Sequence, residues 1–185
     1  VPLDILLGIT RVETGRGRNG VVQPWPWTVN IEGTGAWFDT ADQALRHVLE
    51  RQAAGARSFD VGCFQINHRW HGEHFASIAE MFNPLQNARY AAQFLTDLHQ
   101  EFGSWRVAVG AYHSRTRRHA SRYLRAFERH VAALGPVPDE YPPQDLILSE
   151  TPSQDLPSLE NADENNVPLA ENTFPLLQRN DAGSR

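Results

Sequence analysis

The sequence predicts a mainly helical domain that carries a small β-hairpin and is followed by a disordered tail. Three observations carry that prediction. Apolar residues recur at three- and four-residue spacing through much of residues 3–134, and glycines close the periods. One short stretch, WTVNIEGTGAWF, alternates instead and holds a glycine-containing turn, the pattern of a hairpin. The last fifty residues lose aromatics and gain Pro, Asn, Ser and acids.

The first helix ends in LLGITRVETGRG, where Leu6, Leu7, Ile9 and Val12 are apolar and Gly15 and Gly17 stop the pattern. After the hairpin, Thr40 and Gln43 form a capping box for a helix with a Leu45, Val48 and Leu49 stripe, and Gly55 follows its end. A long helix is expected from Pro84 to Phe102, with Leu85, Ala88, Ala91, Leu95, Leu98 and Phe102 on one face and Gly103 as its stop. Trp105 to Tyr112 reads as a short buried helix. A last helix, from about Thr116 to Leu134, is expected to bury Tyr123, Leu124, Phe127, Val131 and Leu134 before Gly135-Pro136 closes it. The domain therefore spans 1–135 and the tail 136–185.

The net charge of −5 hides an asymmetry. Residues 136–185 carry ten acids against Arg179 and Arg185, a net −8, which leaves the body at +3. Such a tail cannot bury enough apolar surface to offset its ordering entropy. Its one apolar cluster, VPLAENTFPLLQ, is either a partner-binding motif or a stray group. No apolar run approaches the roughly 18 residues of a membrane span. The single Cys63 excludes an internal disulfide. The chain begins at Val1 rather than Met, as in a processed or trimmed form; no signal peptide is visible in it.

Three features can carry chemistry. Glu13 lies near the C-terminus of an apolar helix, where the helix dipole and desolvation both disfavour its anion. A carboxyl that keeps its proton near neutrality is a general acid; a solvent-facing Glu at a helix end is the plainer alternative. In SFDVGCFQIN, Gly62 permits close backbone approach, and Gln65 and Asn67 alternate with Phe64 and Ile66. Amides both donate and accept, which suits sugar hydroxyls and N-acetyl groups. In VAVGAYHS, small residues let Tyr112 approach a neighbouring element, beside His113. Each of these two stretches reads equally as packing.

Glu13 in RVETG, then GCFQIN, FNPLQNARYAAQFL and GAYHS together resemble the successive motifs of the family-1 lytic transglycosylases. These are soluble-lytic-transglycosylase catalytic domains with a goose-lysozyme-like, mainly α (α+β) fold. The resemblance covers about residues 3–130. PWPWTVNIEGTGAWF and SFDVGCFQIN look most like the small members that serve flagella and secretion systems. The resemblance implies that Glu13 is the single catalytic acid/base, that Gln65 lies in the glycan cleft, and that Tyr112 positions the Glu13 carboxyl or the sugar. Thr14, Phe64, Asn67 and His113 complete the expected substrate-binding set, and Asn83 and Asn87 are structural. Thr14 stands where many members have Ser. Cys63 and Phe64 replace an aliphatic pair, and His113 replaces an Asn that normally contacts substrate, which bears on cleft affinity. The implied reaction cleaves the β-1,4 bond between N-acetylmuramic acid and N-acetylglucosamine and leaves a 1,6-anhydro end. It needs no cofactor or metal. The implied setting is the periplasm, with glycan strands as substrate and a flagellar-rod or secretion-apparatus protein as partner of the 136–185 tail.

Two-carboxylate glycosidases place a second acid across the bond, and only position in the chain recommends Glu32, Asp39 or Asp60 for that place. The rivals are a hydrolytic muramidase, a glycan-binding scaffold that kept the fold, and a nucleic-acid binder using the Arg-rich last helix. For Arg115, Arg117, Arg118, Arg122, Arg125 and Arg129, with His119 and His130, a solvated face is the favoured reading. His68, His71 and His74 surround Trp70 without the Cys or acid that would complete a metal site. Trp25, Trp27 and Trp37 either line the cleft or pack the core.

Overall fold

A computed structural model describes residues 1–18 and 21–135. The acidic segment 136–185, with its VPLAENTFPLLQ cluster, lies outside the described residues. Helix α1 (Leu3–Thr14) opens the chain. A two-stranded hairpin, β1 (Arg16–Arg18) and β2 (Val21–Gln23), follows it directly. Strands β3 (Thr28–Ile31) and β4 (Thr34–Trp37) form the hairpin expected from the alternating stretch. Its two-residue loop puts Glu32 at φ 51° and Gly33 at φ 94°, the backbone a primed turn requires. Helix α2 (Ala41–Ala53) leads to β5 (Phe59–Val61) and β6 (Ile66–Asn67). These complete an antiparallel sheet in the order β4-β3-β5-β6.

The rest is helical: α3 (His68–His71), a 3₁₀ turn (Gly72–His74), α4 (Ile78–Met81), α5 (Pro84–Phe102), α6 (Trp105–His113) and α7 (Arg117–Ala132). Helix α5 has the bounds its sequence dictates. Asn83 Oδ1 accepts the backbone N–H groups of Leu85 and Gln86 at 3.0 and 3.2 Å, Pro84 takes the first turn, and Gly103 ends it at φ 67°. The cap of α2 differs in one bond. Thr40 accepts the Gln43 N–H, but the Gln43 side chain receives the N–H of Asp39 rather than that of Thr40.

One apolar core joins the layers. Ile9 of α1, Val29 of β3, Val48 of α2, Val61 of β5, Met81, Leu95 of α5, Val109 of α6 and Tyr123 of α7 are all buried in it. The buried stripe of α2 is Ala44 and Val48, whereas Leu49 is exposed. Phe102 is likewise exposed at the end of α5, and Leu134 follows the end of α7. In each case the expected stripe runs past the surface that the neighbouring element covers. Helices α1 and α7 approach closely at Gly8, where a β-carbon would meet the Phe127 ring and a Val131 methyl at 2.6 Å. That contact brings the C-terminal turn of α1 against the middle of α7. Among the described residues no helix is long and apolar enough to cross a membrane.

Candidate active site

Glu13 occupies the last turn of α1 and is 6% exposed, so it is not the solvent-facing residue a helix end usually carries. Tyr123, from the centre of α7, donates its hydroxyl to Glu13 Oε1 at 2.7 Å. Burial pushes the Glu13 carboxyl up to about 8; the Tyr123 hydrogen bond opposes that rise and the nearby Asp60 adds to it. The acid form therefore persists at neutral pH. Both Tyr123 and Tyr112 are themselves pushed well above the usual phenol range, by burial first and then by the Glu13 charge. They stay protonated and act as donors.

Thr14, next to Glu13, fastens the helix end to its surroundings. Its hydroxyl lies 3.0 Å from the Thr10 carbonyl and 3.2 Å from the Cys63 carbonyl, and it accepts the Trp25 N–H at 3.2 Å. The loop it touches, residues 62–65 between β5 and β6, is a strained turn. Gly62 sits at φ 83° and Gln65 at φ 48°. Only glycine fits at 62, because a β-carbon there would lie 2.5 Å from the Asn87 amide. Asn87, fully buried on α5, secures this loop by three bonds. Its Oδ1 accepts the Phe64 N–H at 3.0 Å, and its Nδ2 donates to the carbonyls of Val61 and Met81 at 3.1 Å each.

Gln65 is drawn inward by the same turn. Its Nε2 donates to the carbonyls of Thr28 and Gly62 at 3.2 and 3.0 Å, while its buried Oε1 has no hydrogen-bond partner among the described residues. Tyr112, on α6, donates to the Phe64 carbonyl at 2.8 Å, so the hydroxyl on Glu13 is that of Tyr123 and not of Tyr112. Phe64 itself is a buried core side chain. His113 lies flat on Tyr123, with ring centroids 4.6 Å apart and planes within 5°. Asn67 spends its amide within the sheet, donating to Asp60 and Ser58 and capping α3 through the Arg69 N–H. The expected site residues thus sort by place. Glu13 and Thr14 end α1, His113 stacks on the Tyr123 that meets Glu13, and Gln65 lies in the loop that Thr14 touches through the Cys63 carbonyl. Tyr112, Phe64 and Asn67 hold the backbone around them.

Arg16, just beyond α1, lies over the Trp25 ring at 5.1 Å, and Trp25 packs edge-on against Trp27. The indole N–H of Trp25 donates to the Phe38 carbonyl at 2.6 Å. His71 bonds the Tyr90 hydroxyl at 2.7 Å in an aromatic cluster with His74, Phe75 and Phe94. Among the described residues no three His, Cys, Asp or Glu side chains are grouped to hold a metal. Burial lifts the Cys63 thiol to about 11, which leaves it unreactive.

Sequence reasoning missed Tyr123 as a functional group. It sits on the apolar stripe of α7, and 110 residues separate it from Glu13, so no local pattern distinguishes it from a core phenol.

A buried carboxyl that keeps its proton near neutrality beside a phenol donor has the chemistry a general acid needs. Residues 48–130 match the family model of the Transglycosylase SLT domain. The matched span contains Gln65, Asn87, Tyr112, His113 and Tyr123 but begins after Glu13, and it covers somewhat under half of the chain. No curated protein and no solved structure matches the chain. The family match and the α+β, mainly helical fold support one class of protein, the lytic transglycosylases, whose substrate is peptidoglycan.

Proposed function

We propose that this protein is a peptidoglycan lytic transglycosylase with Glu13 as its single acid and base. The carrying observation is Glu13 itself: buried, bonded by Tyr123 at one carboxyl oxygen, and protonated up to about pH 8. Tyr123 occupies Oε1, so the reacting proton belongs on Oε2. That proton passes to the oxygen linking N-acetylmuramic acid to N-acetylglucosamine, and the bond to the muramic C1 breaks. The resulting Glu13 carboxylate then takes the proton of the same sugar's C6 hydroxyl as O6 closes on C1. No water is consumed, the acid is regenerated, and the product is a 1,6-anhydro end. Closure within one ring benefits from high effective molarity. Proton transfer by Glu13 is expected to contribute about 10²–10⁴-fold.

Gln65 Oε1 is the acceptor we assign to a substrate N–H or hydroxyl, since it is buried and lacks a partner among the described residues. His113 is assigned to the cleft beside Tyr123. The exported, periplasmic setting and the role at a flagellum or secretion apparatus rest on the sequence resemblance alone, as does recruitment of a partner by residues 136–185. Digestion of purified peptidoglycan, with the Glu13→Gln variant in parallel, tests the reading. Expected products are muropeptides lighter by one water than reducing ones, formed by the parent and absent with the variant. Reducing ends would establish a hydrolytic muramidase instead. Products from the variant would remove Glu13 from the mechanism.

A further inference from the structure

Four arginines line the outer face of α7. Arg118, Arg122, Arg125 and Arg129 follow one another at intervals of four, three and four residues. At 3.6 residues per turn that spacing confines them to an arc of roughly 60°. Tyr123, Leu124 and Phe127 take the opposite side and pack into the core. All four arginines are exposed. Among the described residues none of the four takes part in an ion pair. Glu128, the one acid of α7, is held by Arg106 of α6 at 2.9 Å. Like charges three and four residues apart on a helix oppose one another. An anion laid along the stripe removes that repulsion.

The chain itself supplies such an anion. Beyond α7, Gly135 sits at φ 69°, a left-handed conformation that turns the backbone off the helix axis. The next residue, Pro136, has no N–H to extend the helix. Asp139, Glu140, Asp145 and Glu150 follow, and the first basic residue after them is Arg179. Measured back from Ala132 along the helix, Arg129 lies about 5 Å away and Arg118 about 21 Å. An extended chain covers roughly 3.3 Å per residue. Asp139 and Asp145, seven and thirteen residues beyond Ala132, therefore have the length to reach the whole stripe.

We propose that residues 139–150 dock in cis on the outer face of α7, with their carboxylates along the stripe from Arg118 to Arg129. Single exposed ion pairs contribute little. Here several act together, and the short tether gives an effective concentration on the order of millimolar. The contact is electrostatic and lies on a solvent face, so salt weakens it. While docked, the segment shields the stripe from other polyanions. The docking requires no catalysis and is independent of the transglycosylase reading.

The test uses the full ¹⁵N-labelled chain with a nitroxide on Gln144→Cys. Cys63 takes no label, because burial leaves its thiol unreactive. At about 0.02 M salt the amide signals of residues 118–129 are expected to lose about half their intensity or more, relative to the reduced label, and to recover at about 0.5 M salt. Replacing the four arginines together by Gln, a good helix former at exposed positions, is expected to abolish the loss. Asp139→Asn, Glu140→Gln, Asp145→Asn and Glu150→Gln, combined, should do the same. That acid variant carries the test alone if the arginine variant does not fold. Tethering without docking broadens only the end of the helix, at any salt. Broadening confined to the last turn of α7, or unchanged by salt and by neutralised charge, overturns the proposal. So does broadening caused by a spin-labelled ¹⁴N chain mixed with a ¹⁵N chain that carries no nitroxide, which would seat a second copy's segment on the stripe.

Discussion

The Glu13 carboxyl leaves water when α1 packs on α7, and its charged form loses most by the transfer. The folded protein therefore binds a proton that the unfolded chain, with a midpoint near 4.5, has already released. The sign follows from linkage: this group's full contribution to stability is present below the unfolded value and is lost as pH rises toward 8. Glu13→Gln cannot ionise. It is expected to melt above the parent at pH 8, on the order of 5 °C higher, with the gap closing toward pH 4.5. Thermal scans at the two pH values check this, and equal melting at pH 8 would mean a solvated Glu13. Tyr123→Phe keeps the ring that stacks on His113 but removes the hydroxyl that donates to Glu13 Oε1. That should cost about 1–3 kcal/mol by denaturant titration. It should also raise the Glu13 midpoint further, because the Tyr123 bond favours the anion. The sequence made Glu13 legible as an acid through its place in an apolar helix end. It could not reveal Tyr123, because a phenol on a core-facing stripe looks the same whether its hydroxyl meets a carboxylate or a carbonyl.

The loop 62–65 owes its shape to one side chain on another element. Asn87 accepts the Phe64 N–H and donates to the carbonyls of Val61 and Met81, and Gly62 leaves room for its amide. Asn87→Ala is expected to destabilise the fold by about 3 kcal/mol or more, since buried backbone groups lose their partners. The same variant should lose activity ahead of stability, as Gln65 and the Cys63 carbonyl that meets Thr14 both belong to this loop. Comparing residual peptidoglycan cleavage with the fraction folded at each denaturant concentration separates the two effects. The elements themselves were largely legible. Helix α5 follows from Asn83, Pro84 and Gly103, and the β3–β4 hairpin from its alternation and Gly33, because caps and turns are local chemistry. The β1–β2 hairpin was not: Arg16–Arg18 and Val21–Gln23 carry no run of β-formers, and only their pairing to each other makes them strands. Leu49 and Phe102 show the converse, since amphipathic spacing marks a face but not how far a neighbour covers it.

For the chain as a whole, the body carries +3 and the segment 136–185 carries −8. Among the described residues, a continuous apolar core already joins α1 to α7. A protein ending at Gly135 is therefore expected to keep its melting temperature within about 2 °C and its cleavage of purified peptidoglycan. Any binding of an assembly protein should be lost with the segment. Side-by-side melting, digestion and pull-down of the two lengths measure all three. Loss of cleavage in the shorter protein would assign the segment a part in catalysis.

The sequence by itself determined the helices with caps, the alternating hairpin and the candidacy of Glu13, because each rests on residues within a few positions of one another. Only the tertiary structure decided which hydroxyl meets Glu13, that Asp60 stands between two asparagines, and that Tyr112 serves the backbone of Phe64. Those facts depend on which strand lies beside which and on how closely α1 approaches α7. Such contacts are set by packing across the whole core, and no local pattern of residues encodes them.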